Sequence, residues 1–137
     1  ASGRPLRASL GRMGEWVVDG NNVVGSRPDG WWRDRAAAKR RLVERLERFA
    51  AAHDVPVTVI FDGRATDVGG GERVQVGFAS RDGRDAADDD IAKLVVGHPD
   101  PGSLTIVTSD RDLAQRVRDD GAQVVGAATL LAELDAL

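Results

Sequence analysis

The sequence predicts an α/β fold on a parallel sheet, and three observations carry that expectation. Short apolar runs alternate with segments of helical spacing along the whole chain. The runs are nearly continuous in apolar residues rather than alternating apolar with polar, as in strands covered on both faces. Three of them lead into an aspartate, at Asp19, Asp62 and Asp110. With 137 residues the chain has the length of one domain. The absence of cysteine excludes disulfides, thiolate metal sites and cysteine nucleophiles.

Residues 1–14 hold three Arg and three Gly without apolar periodicity and read as a flexible leader or cloning remnant. Residues 15–137 read as a single domain. Trp16-Val17-Val18 is the first strand, stopped by the turn formers Asp19-Gly20-Asn21-Asn22. Residues 23–32 are a loop punctuated by Gly25, Pro28 and Gly30. Asp34 then caps a helix reaching about His53, whose Leu42, Val43, Leu46, Phe49 and Ala50 have helical spacing. Residues 55–61 form a second strand ending in Asp62-Gly63. Val74, Val76 and Phe78 alternate, predicting a half-buried third strand, and Asp82-Gly83 is a turn. A helix over 86–96, a strand over 104–108, a helix over 113–118 ended by Gly121, a strand over 123–125 and a helix over 127–137 follow.

Charge is peculiar in kind and in place. Acidic residues are 17 Asp against 5 Glu, and basic residues are 17 Arg against 2 Lys. GC-rich codon usage accounts for a general preference of this sort. It does not account for the positions. Residues 1–84 carry a balance of +4 and residues 85–137 a balance of -7, so a basic partner-facing region adjoins an acidic cluster. No apolar run of about 18 residues exists, which excludes a transmembrane helix. The lack of a secretory h-region and of cysteine makes the cytoplasm the expected location.

In an open parallel sheet, ligands bind outside the carboxyl ends of the strands, at the point where the strand order reverses. Asp19, Asp62 and Asp110 stand at three such ends, and Asp85, Asp88, Asp89 and Asp90 open the helix after the third strand. Asp85 and Asp88, three apart, share one helix face. Each aspartate alone could simply cap a turn or a helix. Several converging on one edge would repel one another unless a divalent cation joined them. Oxygen donors without His or Cys select Mg²⁺ or Mn²⁺ over Zn²⁺. The candidate ligands are Asp19, Asp85, Asp88 and Asp110, with Asp112 competing for the place of Asp110 and Asp62 in support. His53 and His98 read as surface residues.

Taken in order, Asp19-Gly20-Asn21-Asn22, Phe61-Asp62-Gly63, Asp85-Ala86-Ala87-Asp88-Asp89 and Thr108-Ser109-Asp110-Arg111-Asp112 resemble the motifs of NYN domains, a branch of the PIN-like nuclease superfamily. The set is most similar to the YacP-like ribonuclease family and covers about residues 15–134. The resemblance implies a three-layer α/β/α PIN-like (Rossmann-like) fold with a parallel five-stranded sheet in order 3-2-1-4-5. It implies a metal-dependent endoribonuclease, with one or two Mg²⁺ or Mn²⁺ activating a water against RNA phosphodiesters. Catalytic roles fall on Asp19, Asp88 and Asp110. Asn22 is expected to brace the first loop, and Ser109 to position ligand or water. The family usually has Glu-Thr-Ala-Asp where this chain has Asp85-Ala86-Ala87-Asp88. Asp85 therefore either binds metal through a water or serves only as the helix cap.

The partner expected is RNA, with the ribosome as a further candidate, no membrane, and a monomer or weak homodimer. The helix from Arg33 to Arg48 carries a balance of +4, either a solvated face or a phosphate track. Arg27, Trp31, Trp32 and Arg33 in the preceding loop, with Arg84 and Arg111 beside the carboxylates, are the candidate RNA contacts. One of the two tryptophans is expected to pack and the other to stack on a base. Two other readings compete. One is a catalytically idle RNA- or ribosome-binding module on the same fold. The other is a phosphatase, but its Asp-x-Asp motif after strand one is absent. A toxin of a toxin–antitoxin pair is also compatible with the fold.

Overall fold

The computed structural model describes residues 14–80, 83 and 85–137. The expected leader, apart from Gly14, the first half of the Asp82-Gly83 turn and the candidate Arg84 lie outside the described residues. Five strands form one parallel sheet in the order β3-β2-β1-β4-β5. They are β1 (Trp16–Asp19), β2 (Val57–Phe61), β3 (Val74–Phe78), β4 (Thr105–Val107) and β5 (Gln123–Val125). The helices are α1 (Gly20–Val24), α2 (Arg35–His53), α3 (Ala86–Gly97), α4 (Arg111–Asp119) and α5 (Ala127–Asp135).

Side-chain alternation along the strands divides the core in two. Val18, Val59, Phe61 and Val107 pack with α2 and α5. Val17, Ile60 and Ile106 pack with α3 and α4. Neighbouring strand residues thus serve opposite layers, and both need to be apolar. The three-layer architecture and the strand order are those expected. Among the described residues no helix is long and apolar enough to cross a membrane.

Helix boundaries follow their caps. The Asp34 side chain accepts from the Ala37 N–H at 3.0 Å and starts α2, as the sequence suggests. Several boundaries shift from expectation by one or two residues, and two of the differences bear on the site. The chain does not stop in a turn after Asp19 but continues directly into α1. Gly20 permits this, because a Cβ there would collide with the Phe61 ring, and the approach buries Val23 in the core. The fourth helix starts at Arg111, two residues early, because Asp110 Oδ1 accepts from the N–H groups of Asp112 (2.9 Å) and Leu113 (3.1 Å).

Register places the functional ends on one edge. Asp19 pairs level with Ile60, and Val18 with Val107. β1 is the central strand, with β2 on one side and β4 on the other, so Asp19 stands where the order of connection reverses. Both histidines lie away from this edge. His53 ends α2 with its ring 4.5 Å from that of Phe49, which packs on Trp16 at the start of β1. His98 follows the far end of α3, where its Nδ1 accepts from the Asp100 N–H.

Candidate metal centre

Asp85, Asp88 and Asp110 each bring a carboxylate oxygen within 4.8 Å of the others. The three come from the start of α3 and the start of α4, helices that pack side by side on one face of the sheet. Asp85 precedes α3 with a left-handed backbone, φ 64°, and its side chain caps nothing. The strain of that conformation is tolerated most readily by Asp and Asn among side-chain-bearing residues. The carboxylate is thereby spared from helix duty. The cap is supplied from elsewhere, since Asp62 Oδ1 accepts from the Ala87 N–H at 2.8 Å. Asp110 does both jobs, one oxygen capping α4 while the carboxylate still joins the cluster.

Asp19 is outside the three-carboxylate group but close enough to act on it. It is 3% exposed, and Thr108 Oγ1 donates to its Oδ2 at 2.9 Å. Burial, together with the charges of Asp62 and Asp110, pushes its carboxyl up to about 6, against the lowering effect of the Thr108 bond. Asp88 is pushed up to about 7, first by burial and then by the charges of Asp19, Asp110, Asp85 and Asp62. Asp19 and Asp88 resist ionisation chiefly because they are buried, and the neighbouring negative charges add to that effect. A hard divalent cation would relieve that repulsion, and the donor set is all oxygen, so these residues fit Mg²⁺ or Mn²⁺. Asp112 is not brought into the group, and its side chain stands exposed.

Two asparagines hold the edge together. Asn21 Oδ1 accepts from the Asp62 N–H at 2.8 Å, and Asn22 Oδ1 accepts from the Ser109 N–H at 2.8 Å. The first loop therefore grips both neighbouring strand ends. Ser109 Oγ accepts from the Ala127 N–H at 2.9 Å, at the start of α5. Sequence reasoning passed over Asn21, Thr108 and Lys39. Lys39 belongs to the basic helix but turns to the sheet edge, where Nζ donates to the Asp62 carbonyl at 3.3 Å. It lies 5.2 Å from the centre of the Phe61 ring and 5.7 Å from that of Phe78. Partial burial lowers its pKa.

The family model of the YacP-like NYN domain matches residues 16–137. The chain belongs to that family. This YacP-like NYN domain is also similar to two crystal structures of Rae1 (YacP) from Bacillus subtilis. A tryptophan-to-leucine mutant matches with a TM-score of 0.73 and 25% identity, over 90% of this chain and 76% of that one. A second Rae1 structure matches with a TM-score of 0.68 and 21% identity, over 88% and 73% of the two chains, a likeness of fold. No curated protein gives a significant sequence match. Family and fold together support a ribonuclease-type module.

The candidate RNA contacts of the NYN domain fall into distinct settings. Trp31 is half-buried and Trp32 is 48% exposed, with their rings edge to face at 5.8 Å. Trp32 is the more open of the two. Arg33 lies over the Trp32 ring at 5.9 Å, and Arg35 over Trp31 at 5.5 Å. Arg27 is paired with Asp135 at 2.8 Å, at the end of α5. Arg111 is exposed at the first position of α4, directly after Asp110.

Proposed function

We propose that this domain is a metal-dependent endoribonuclease of the cytoplasm that hydrolyses phosphodiester bonds in single-stranded RNA. The convergence of Asp85, Asp88 and Asp110 within 4.8 Å at the carboxyl edge of the sheet carries the reading. These three would hold one or two Mg²⁺ or Mn²⁺ through their carboxylate oxygens. When bound, the cation supplies Lewis acidity at the phosphoryl oxygen and lowers the pKa of a coordinated water.

The rest of the chemistry belongs to the chain. Asp19, oriented by Thr108, adds negative charge behind the ligands and completes the catalytic set with Asp88 and Asp110. Asn21, Asn22 and Asp62 keep the loops that carry the ligands from drifting apart, which preserves the geometry in-line attack needs. Arg111 is placed to bind a phosphate beside the cluster, and exposed Trp32 offers a face for a base. No side-chain nucleophile is required, and the Thr108 and Ser109 hydroxyls at the edge are engaged in the network.

The test is cleavage of a mixed single-stranded RNA pool by the wild type, Asp88→Asn and Asp110→Asn, with Mn²⁺ and with chelator. Cleavage is expected only for the wild type with Mn²⁺, each substitution costing at least about 10²-fold. Activity that persists in chelator or in either variant would refute the mechanism. RNA binding without cleavage by the wild type would instead identify an idle binding module.

A further inference from the structure

The far side of the sheet from α3 and α4 holds a feature the metal centre does not use. A cleft of about 90 Å³ opens between α1, α2, α5 and the Trp31 turn. Leu42 and Leu131 contribute to its floor, Trp31 to one wall, and Arg27, Arg41 and Arg45 line it. Asp135, at the end of α5, bridges two of these arginines. Its Oδ2 accepts from Arg27 Nη2 at 2.8 Å and its Oδ1 from Arg27 Nη1 at 3.3 Å and Arg45 Nη2 at 2.5 Å. Arg41 has no acidic partner among the described residues. Asp29 is a second carboxylate on the lining.

Two guanidinium groups converging on one carboxylate form an anion cradle, and the same fork geometry takes a phosphate. An indole beside such a cradle provides the other half of a nucleotide site, since any base can stack on it. Val23, which lines it, lies four residues beyond Asp19, about 6 Å along α1.

We propose that this cleft is a subsite for one nucleotide of single-stranded RNA, its phosphate held by Arg27 and Arg45 and its base by Trp31. Asp135 is an internal competitor that occupies the cradle until RNA displaces it. The inference rests on the RNA-cleaving reading above and adds to it a regulated contact remote from the metal ligands. Three arginines against Asp29 and Asp135 leave the lining at +1, and removing the Asp135 charge raises it to +2.

Anisotropy of a short fluorescein-labelled oligouridylate, titrated with the full chain in chelator so that no cleavage occurs, tests the proposal. Asp135→Asn is expected to tighten binding roughly 3–10-fold at low salt and to steepen the log–log salt dependence by about one unit. Arg41→Gln should weaken binding by a similar factor and flatten the slope. Both side chains are exposed and their loss leaves the core intact, which a thermal melt checks. RNA bound equally by the wild type and Asp135→Asn would overturn the subsite and leave the nuclease reading standing. An RNA bound by none of the proteins, with chelator or with Ca²⁺, would overturn both.

Discussion

Asp19 is a buried carboxylate with two neutral donors, the Thr108 hydroxyl and the Asn22 backbone N–H, and several negative neighbours. In the unfolded chain Asp19 and Asp88 titrate near 3.8; in the folded chain they titrate at about 6 and about 7. Between those values the folded state binds more protons than the unfolded state. Stability of the metal-free protein therefore falls as pH rises from about 4 to about 7, and Mn²⁺ restores it at the upper end of that window. Thermal melts across pH, with chelator and with Mn²⁺, check the sign. A metal-free stability that rises over the window would show that these groups are not mutually repelled. By the same reasoning Asp19→Asn should stabilise the chelated protein by about 1–3 kcal/mol near neutral pH while abolishing cleavage. The Asn oxygen can still accept from Thr108, so the network survives the loss of charge. The carboxylates themselves were legible in the sequence because each follows a strand or opens a helix. Thr108, Asn21 and Lys39 were not, because their partners Asp19, Asp62 and the Asp62 carbonyl lie 89, 41 and 23 residues away.

At the scale of elements, the short helix α1 does more than its length suggests. It begins immediately after Asp19, buries Val23, and carries the two asparagines that hold the loops after β2 and β4. A turn was the natural expectation from Asp-Gly-Asn-Asn, since these residues favour turns. Tertiary contact overrode that preference, with Gly20 seated against Phe61. Gly20→Ala should cost about 1–3 kcal/mol through overpacking, measured by urea unfolding, although alanine is the better helix former. Stabilisation by that change would mean that the helix, not the packing, limits this segment. Asn22→Ala should cost about 0.5–1.5 kcal/mol through loss of the bond to the Ser109 N–H. It should also weaken Mn²⁺ binding by calorimetry, because Asp110 follows Ser109 directly. Caps and ligands share residues here. Asp110 is both, whereas Asp85 is freed of capping by Asp62.

For the whole molecule, the acidic total of -3 conceals a division of labour between an acidic edge and basic helical surface. The basic helix is less of a uniform phosphate track than its composition suggests. Lys39 turns to the sheet edge and Arg45 to Asp135, while Arg40, Arg41 and Arg48 are exposed. Binding of single-stranded RNA in chelator should lose affinity steeply between low and physiological salt, with a log–log slope of about -2 to -4 for three to five phosphates neutralised. A slope near zero would remove the electrostatic basis of RNA recognition. The sequence alone determined the order of elements, the burial of the sheet on both faces and the placing of aspartates at strand ends, because apolar periodicity and turn chemistry are local. It also carried the family through the ordered motifs. Only the tertiary structure decided that Asp85, Asp88 and Asp110 meet while Asp19 is buried beside β4 and Asp112 is exposed. Carboxylate separation depends on how two helices seat on the sheet, and that seating is set by core contacts among residues far apart in the chain.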